Sequence, residues 1–422
     1  MTGSLDWSQR YRQLIARLPD YVAAARTTLC GFSACVDVYL SLRDLDRVCQ
    51  TDRNESAAAL LAELTSRAVR GAGGEFAMTW PGGPEWMALN MHGRLALGGT
   101  GAQAANLLAT LGAPALLSLA DHSADQLSVI HPDVLVATER EVVRSGDLVA
   151  AGQGGTPHYI FEFTAGQTVG GKVLQRSSRV IVRFTDSGLQ HDSGFERVSR
   201  DQAATAGAGI LSGFNELPPV EAAAEHAYAA SMANAWRERG LGVIHLELGE
   251  FPTSALRDEA LADLAPAATS FGVNLSELND LLPGDEAPAQ RAIHVAEKFD
   301  FSRFCVHADE WAVTVTRGDP ETELDAILMG CLVAAVRAEA GMIVVPRRLP
   351  LAARLSEPPF AAVSRQGDWS IVCCPSPYLK HPAAAIGLGD TFLAGTLLVL
   401  GGRTAPLHTG IAGGRGERAP PP

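Results

Sequence analysis

Short apolar runs alternate with alanine-rich helical stretches along this chain, and that alternation constrains the fold more than any other feature. The runs Gly209-Ile-Leu-Ser-Gly213, Gly242-Val-Ile-His-Leu-Glu-Leu248, Ser270-Phe-Gly-Val-Asn274, Arg303-Phe-Cys-Val-His307 and Ala312-Val-Thr-Val-Thr316 are strand-sized and mostly apolar. Strands of this kind belong to parallel sheets that helices cover on both faces. The expected class is therefore α/β, a mostly parallel central sheet flanked by helices, with ligands at the carboxyl ends of the strands. Near the start, Tyr11, Leu14, Ile15, Leu18, Tyr21 and Val22 recur at helical spacing and predict a helix leading into the strand Thr28-Leu-Cys30. Leu95 to Gly101, the helical Ala102 to Gly112 and Ala115 to Asp121 read together as a βαβ unit.

The pattern changes between about residues 152 and 193. There His158-Tyr-Ile-Phe-Glu-Phe163 and Arg179-Val-Ile-Val-Arg-Phe184 alternate and are joined by a glycine-rich connection, as in an antiparallel insertion. With the Gly/Pro-rich segment Gly71 to Gly93, this predicts a smaller, discontinuous β-sheet that serves as a lid. The expected organisation is large α/β domain over residues 1–35, lid over 36–97, large domain over 98–151, lid again over 152–193 and large domain over 194–402. The Gly-, Pro- and Arg-rich residues 403–422 read as a flexible tail.

A formal net charge of -13, from 34 basic and 47 acidic residues, argues against an extended nucleic-acid surface. The seven cysteines show no CxxC pair and no zinc spacing, which suits reduced thiols in the cytoplasm. No secretory apolar region opens the chain, and no apolar run nears the roughly 20 residues that span a bilayer. The expected partners are small molecules, with no nucleic acid and no membrane, and the expected assembly is a monomer or small homo-oligomer.

Chemistry concentrates in three motifs. In Gly387-Leu-Gly-Asp390 a glycine-rich turn runs into an apolar helix, so the first free amides of that helix point at whatever anion occupies the turn. A carboxylate there is badly placed to bind phosphate and well placed to take a proton from an attacking hydroxyl. An ordinary loop with an Asp cap is the competing reading. His245-Leu-Glu247 and Asn274-Leu-Ser-Glu277 put acids at successive strand ends, which suits Mg²⁺ held partly through waters; taken alone, the second reads first as a plain capping box. Asp37 is expected just past the first strand, where it would bind sugar hydroxyls or simply face solvent. Arg179 and Arg183 share one face of a lid strand and could reach an anion or lie exposed. Gly99-Thr-Gly-Ala-Gln-Ala104, with Asp121 some 20 residues on, also fits a dinucleotide fingerprint, but an NAD-dependent oxidoreductase would leave the acidic motifs and Asp390 unexplained.

Together these residues resemble the ADP-dependent glucokinase and phosphofructokinase family of the ribokinase-like superfamily. The HxE, NxxE and GxGD motifs of that family occur in order, and further matches lie at Gly31 to Asp37, Gly98-Gly99 with Ala105-Asn-Leu-Leu108, His158 to Phe163 and Leu211-Ser-Gly213. The short ending after Asp390 is similar to the ADP-dependent branch. The resemblance implies transfer of the terminal phosphate of ADP to a hydroxyl of a sugar or sugar phosphate, of the glucose or fructose 6-phosphate type, giving AMP. Asp390 would be the general base, with Gly387 and Gly389 in the anion hole. Glu247 and Glu277 would hold Mg²⁺, while Asn274, His307 and Leu388 would contact the nucleotide. Ser33, Asp37, Gly98, Gly99, Thr100 and Arg179 would bind the acceptor. Where the family commonly has Asn, this chain has Ser33 and Cys35, and its Gly98-Gly-Thr-Gly-Ala102 departs from the usual Gly-Gly-Gln-Ala-Gly. Those departures leave open an ATP- or ADP-dependent kinase of a specialised sugar or nucleoside, and a non-catalytic binding homologue.

Overall fold

The computed structural model describes residues 5–175, 178–185 and 188–402. The expected flexible tail, residues 403–422, lies outside them. The chain builds a large α/β body around an eleven-strand sheet and a smaller body around a five-strand sheet, counted among the described residues.

The centre of the large sheet runs in the order Arg303–His307, Ser270–Asn274, Ile244–Glu247, Ala208–Leu211, Thr28–Cys30, Ala115–Leu117 and Leu135–Ala137, every neighbouring pair parallel. Antiparallel strands finish both edges: Val142–Arg144 on one side, and Trp311–Thr316, Trp369–Pro375 and Val363–Gln366 on the other. Successive side chains enter opposite faces, so Leu29, Leu116 and Cys373 join one core while Cys30, Leu117 and Cys374 join the other. One core is capped by the helices Trp7–Ala24, Thr100–Leu111, Pro320–Ala340 and Leu388–Leu400, the other by Ser193–Gln202, Ala222–Glu238, Ser254–Leu264 and Pro288–Lys298. Two buried faces explain why the central strands read as apolar runs with little alternation.

The five-strand sheet has the order Gly74–Ala77, Ser178–Arg183, His158–Phe163, Cys35–Ser41 and Arg94–Gly98. Here the period of two is visible in the sequence. Leu40, Tyr159, Phe161, Phe163, Val180 and Val182 enter an apolar core against the helices Leu42–Thr51, Glu55–Arg70 and Gly83–Asn90. Their neighbours Asp37, Glu75, His158, Arg179 and Ile181 point the other way and line a cleft.

Two expectations are corrected. The run near Leu95 does not open a βαβ unit: Arg94–Gly98 pairs antiparallel with Cys35–Ser41 in the small sheet, and the helix Thr100–Leu111 carries the chain back to Ala115–Leu117 in the large one. Two of that strand's five residues are solvent-exposed, which a central parallel strand would not allow. The dinucleotide fingerprint therefore lacks its required strand–turn–helix setting in one parallel sheet. Asp37 lies within the strand Cys35–Ser41 rather than beyond a strand.

Inside the large body, Arg303 and Glu323 form a buried ion pair, each side chain 1% exposed, with Nη2–Oε1 at 2.8 Å and Nε–Oε1 at 2.9 Å. Removing one partner strands the other charge away from water. Glu323→Ala should lose about 3–5 kcal/mol of unfolding free energy, read by urea denaturation; an unchanged midpoint would show that the pair has no such role.

Candidate active site

The carboxyl ends of the central strands deliver the acidic motifs to one place. Glu247 ends the strand Ile244–Glu247, Asn274 ends Ser270–Asn274, and His307 ends Arg303–His307. The helix Leu388–Leu400 begins beside them, and the open face of the small sheet lies across from them. Between these elements is a cavity of about 350 Å³. It is lined on the large-sheet side by Glu247, Asn274, Glu277, His307, Gly387, Leu388, Gly389 and Asp390, and on the small-sheet side by Ser33, Asp37, Gly98, Gly99, Thr100 and Arg179. The expected site residues thus border one space, except Arg183, which shares a strand face with Arg179 but pairs with Glu75 instead of lining the cavity.

The GLGD turn is held by a residue 50 positions earlier in the chain. Gly387 caps the helix with φ of 67°, a left-handed conformation that favours glycine, and a Cβ there would sit 2.5 Å from Nη2 of Arg337. Nη1 of Arg337 donates to the Gly387 carbonyl at 3.0 Å, to Thr391 Oγ1 at 2.7 Å and to Gln103 Oε1 at 3.0 Å. Burial lowers the Arg337 pKa from its usual value, against the pull of Asp390 and Tyr39. The first intrahelical bond runs from the Thr391 amide to the Gly387 carbonyl at 3.0 Å, so the amides of Leu388, Gly389 and Asp390 have no partner within the helix.

The acids crowd one another. Asn274 and Glu277 do form the reciprocal capping box, with the Asn274 amide donating to Glu277 Oε2 at 2.7 Å and the Glu277 amide donating to Asn274 Oδ1 at 2.9 Å. The cap and the cavity wall are the same residue, so the two readings of this motif coexist. Burial raises the Glu277 pKa, the Asn274 amide opposes that rise, and Glu250, Asp280 and Asp390 add to it. Glu247 is pushed well above the usual carboxylate range by burial, then by Glu277 and Asp390.

A polar chain behind Glu247 explains the histidine two residues before it. Arg303 Nη1 donates to Ser270 Oγ at 3.1 Å, which frees the Ser270 hydroxyl to donate to His245 Nδ1 at 2.8 Å. Nε2–H of His245 then donates to Glu247 Oε2 at 3.2 Å. Burial, with Arg303 and His307 nearby, holds His245 well below the usual histidine value, so this imidazole is neutral. Burial also lowers His307 to about 4, which makes it an uncharged ring next to Gly389.

The sequence reading missed several wall residues: Glu75, Gln103, His158, Asn215 and Glu250, with Arg337 behind the turn. Strand parity would have found His158, because it stands directly opposite Asp37 on the neighbouring parallel strand. Nothing local marks Arg337, which follows a long apolar stretch, Ala326 to Val336, near the end of its helix.

Residues 26–399 match the conserved region of the ADP-specific phosphofructokinase/glucokinase family. The chain belongs to that family. It is accordingly a sugar kinase, a phosphotransferase with an alcohol acceptor. No curated protein sequence matches it. Among solved structures, an ADP-dependent kinase in complex with fructose-6-phosphate and ADPβS is 17% identical with a TM-score of 0.76, the match covering 94% of this chain and 99% of that one. A reconstructed last common ancestor of the ADP-dependent phosphofructokinases from Methanosarcinales is 17% identical with a TM-score of 0.74, covering 94% and 98%. A phosphofructokinase from Pyrococcus horikoshii OT3 with AMP is 18% identical with a TM-score of 0.70, covering 89% and 97%. These likenesses establish a shared fold. Among the described residues, no helix is long and apolar enough to cross a membrane.

The raised pKa of Glu247 has a thermodynamic consequence. Its folded-state value lies above the unfolded one, so the stability present below about pH 4.3 is lost as the pH rises through the folded value. Glu247→Gln, which cannot ionise, should melt at a higher temperature than the parent at pH 8 in metal-free buffer, with the gap closing near pH 4. Equal melting temperatures at every pH would contradict the raised pKa.

Proposed function

We propose that this kinase transfers the terminal phosphate of ADP to a hydroxyl of an uncharged sugar, with Asp390 as general base and AMP as the second product. The observation that carries the reading is the position of Asp390. It stands in the first turn of a helix whose leading amides border the same cavity as the Asp37 face of the small sheet. A sugar held against Asp37, Ser33, Thr100 and the Gly98-Gly99 turn would present a hydroxyl to Asp390. Its proton passes to the carboxylate as the oxygen attacks phosphorus, and the amides of Leu388 and Gly389 meet the charge that develops on the phosphoryl oxygens. Arg337, buried under the turn, keeps those amides aimed at the cavity. Asn274, neutral His307 and Leu388 are the groups closest to hand for the nucleotide phosphates.

Glu247 and Glu277 would hold Mg²⁺. Their carboxylate oxygens are the hard donors this ion takes, and two acids whose ionisation burial and mutual repulsion oppose form a site that a cation relieves. When bound, the ion neutralises charge on the transferring phosphate. His245 orients the Glu247 carboxylate from behind.

Charge supports the uncharged acceptor. The small-sheet end carries Asp37, Glu75 and nearby Glu250, and Glu75 is paired with Arg183. Arg179 is the one arginine among the described residues lining the cavity. A sugar phosphate would bring further negative charge to that end. Arg179 is also what favours the second reading: its Nε is buried and has no hydrogen-bond partner, as an anion-binding guanidinium would before its ligand arrives. Seven free cysteines fit a reducing cytoplasm.

Incubating the protein with Mg²⁺ and either ADP or ATP, across uncharged sugars, sugar phosphates and nucleosides, should give AMP from ADP with an uncharged sugar. Turnover confined to sugar phosphates would reverse the acceptor assignment, and tight sugar binding without AMP would mean a non-catalytic homologue. Asp390→Asn should lower kcat by about 10²- to 10⁴-fold with nucleotide affinity little changed; parent-like turnover would remove Asp390 from the base role. Glu277→Gln should shift the magnesium titration of activity to higher concentration, and an unmoved titration would leave Glu277 as a cap alone.

A further inference from the structure

The cleft face of the small sheet carries a second group of donors, unlike the carboxylates at the phosphate end. Cys35 and Asp37 are two apart on the strand Cys35–Ser41 and so share a face, and His158 pairs with Asp37 on the adjacent strand. Cys35 Sγ lies 3.5 Å from His158 Nδ1 and 3.8 Å from Asp37 Oδ1, while His158 Nδ1 lies 3.9 Å from Asp37 Oδ1. Asp37 and His158 are buried and Cys35 is half-buried.

These separations are close to the edges of a coordination tetrahedron. Zinc bonds of about 2.3 Å to sulfur and 2.0–2.1 Å to nitrogen or oxygen set sulfur–nitrogen and sulfur–oxygen edges of about 3.6 Å and a nitrogen–oxygen edge of about 3.4 Å. The observed triangle departs from this by half an ångström or less. Room for it comes from Gly98, which pairs with Cys35 on the other neighbouring strand. A Cβ at residue 98 would collide with Asp37 Oδ1 and lie 2.6 Å from Cys35 Sγ. Asp37 and His158 border the cavity, so an ion held by the three would lie at its wall.

We propose that Cys35, Asp37 and His158 form a three-ligand site for Zn²⁺ at the acceptor end of the cavity. A thiolate and an imidazole select a borderline-soft ion, whereas the oxygen-only pair Glu247 and Glu277 suits Mg²⁺, so the two ends of one cavity take different cations. On binding, the sulfur–zinc bond forms as the Cys35 thiol proton leaves to solvent. His158 donates the lone pair of Nδ1 and keeps its proton on Nε2, and Asp37 binds as the carboxylate. Two anionic ligands balance the ion's two charges, and nothing is oxidised or reduced. If Asp37 also receives the sugar, which rests on the function proposed above, Zn²⁺ and the acceptor exclude one another. The metal is then an inhibitor competitive with the acceptor and not with ADP.

Cobalt titration of the full-length, chelator-treated protein tests the site without any catalysis. One equivalent of Co²⁺ should give a thiolate-to-cobalt charge-transfer band in the near ultraviolet and the intense visible bands of a tetrahedral ion, both abolished by Zn²⁺. Cys35→Ser should lose the charge-transfer band although six cysteines remain. Cys35→Ser and His158→Gln should each bind Zn²⁺ on the order of 100-fold or more weakly, since even outer-shell changes cost about 10- to 100-fold. Should Cys35→Ser fail to fold, His158→Gln carries the comparison. No charge-transfer band, or one that survives in Cys35→Ser, overturns the proposal. In the kinase assay, each protein compared with its own zinc-free rate, more acceptor should relieve zinc inhibition and more ADP should not. Relief by ADP overturns the placement at the acceptor end. A protein that binds cobalt as described but phosphorylates no sugar would refute the proposed function and leave the metal site standing.

Discussion

One guanidinium ties the site together. Arg337 reaches the Gly387 carbonyl, Thr391 and Gln103 from a single nitrogen, and Gln103 Nε2 in turn donates to the Leu97 carbonyl. The turn before the last helix, the helix that carries Arg337, the helix that follows the small sheet and the edge strand Arg94–Gly98 are therefore joined through one charge. That linkage holds the amides of the turn in register with the small sheet, across two bodies that share no strand among the described residues. It also accounts for a buried cation directly beneath Asp390, whose charge offsets those of the acids around it.

The acids themselves are a source of instability. Glu247, Glu277 and Asp390 come together at strand ends because a parallel sheet directs all its carboxyl ends to one side. The fold collects charge there whether or not a cation is bound, and the apolar cores on both faces of the sheet supply the stability that tolerates it. The chain Arg303, Ser270, His245, Glu247 shows how the inner end of this cluster is managed: a cation sits deep, paired with Glu323, and two neutral groups pass its orienting effect outward. Substitutions at Arg303 should therefore disturb the site as well as the core.

Much of this was legible in the sequence, for reasons that differ by element. The central strands announced themselves because burial on both faces leaves little room for polar residues, and the GLGD, HLE and NLSE motifs are local, so spacing alone carried them. The strand near Leu95 was misplaced because a short, partly exposed run gives no clue to which sheet receives it, and because the following helix imitates a dinucleotide fold. Asp37 was recognised, but its position within a strand was not, and with that the facing His158 was lost. Arg337 was invisible for a more basic reason: its meaning depends on a contact 50 residues away that no periodicity encodes.

The path of the chain between the two sheets has a mechanical consequence. It leaves the large sheet after Cys30 and enters the small one at Cys35, then returns between Gly98 and the helix starting at Thr100. Two longer crossings follow, from Arg144 to His158 and from Arg183 to Ala208, so a tilt of one sheet against the other concentrates its sharpest backbone change in these two short ones. Ser33 lies in the first crossing, bonded to Ser212 Oγ at 2.8 Å and to the Gly101 amide at 3.2 Å, so it links the two short crossings. A ligand gripping Ser33 would clamp the pivot itself, and the stiffness of the joint would then report whether the cleft is filled.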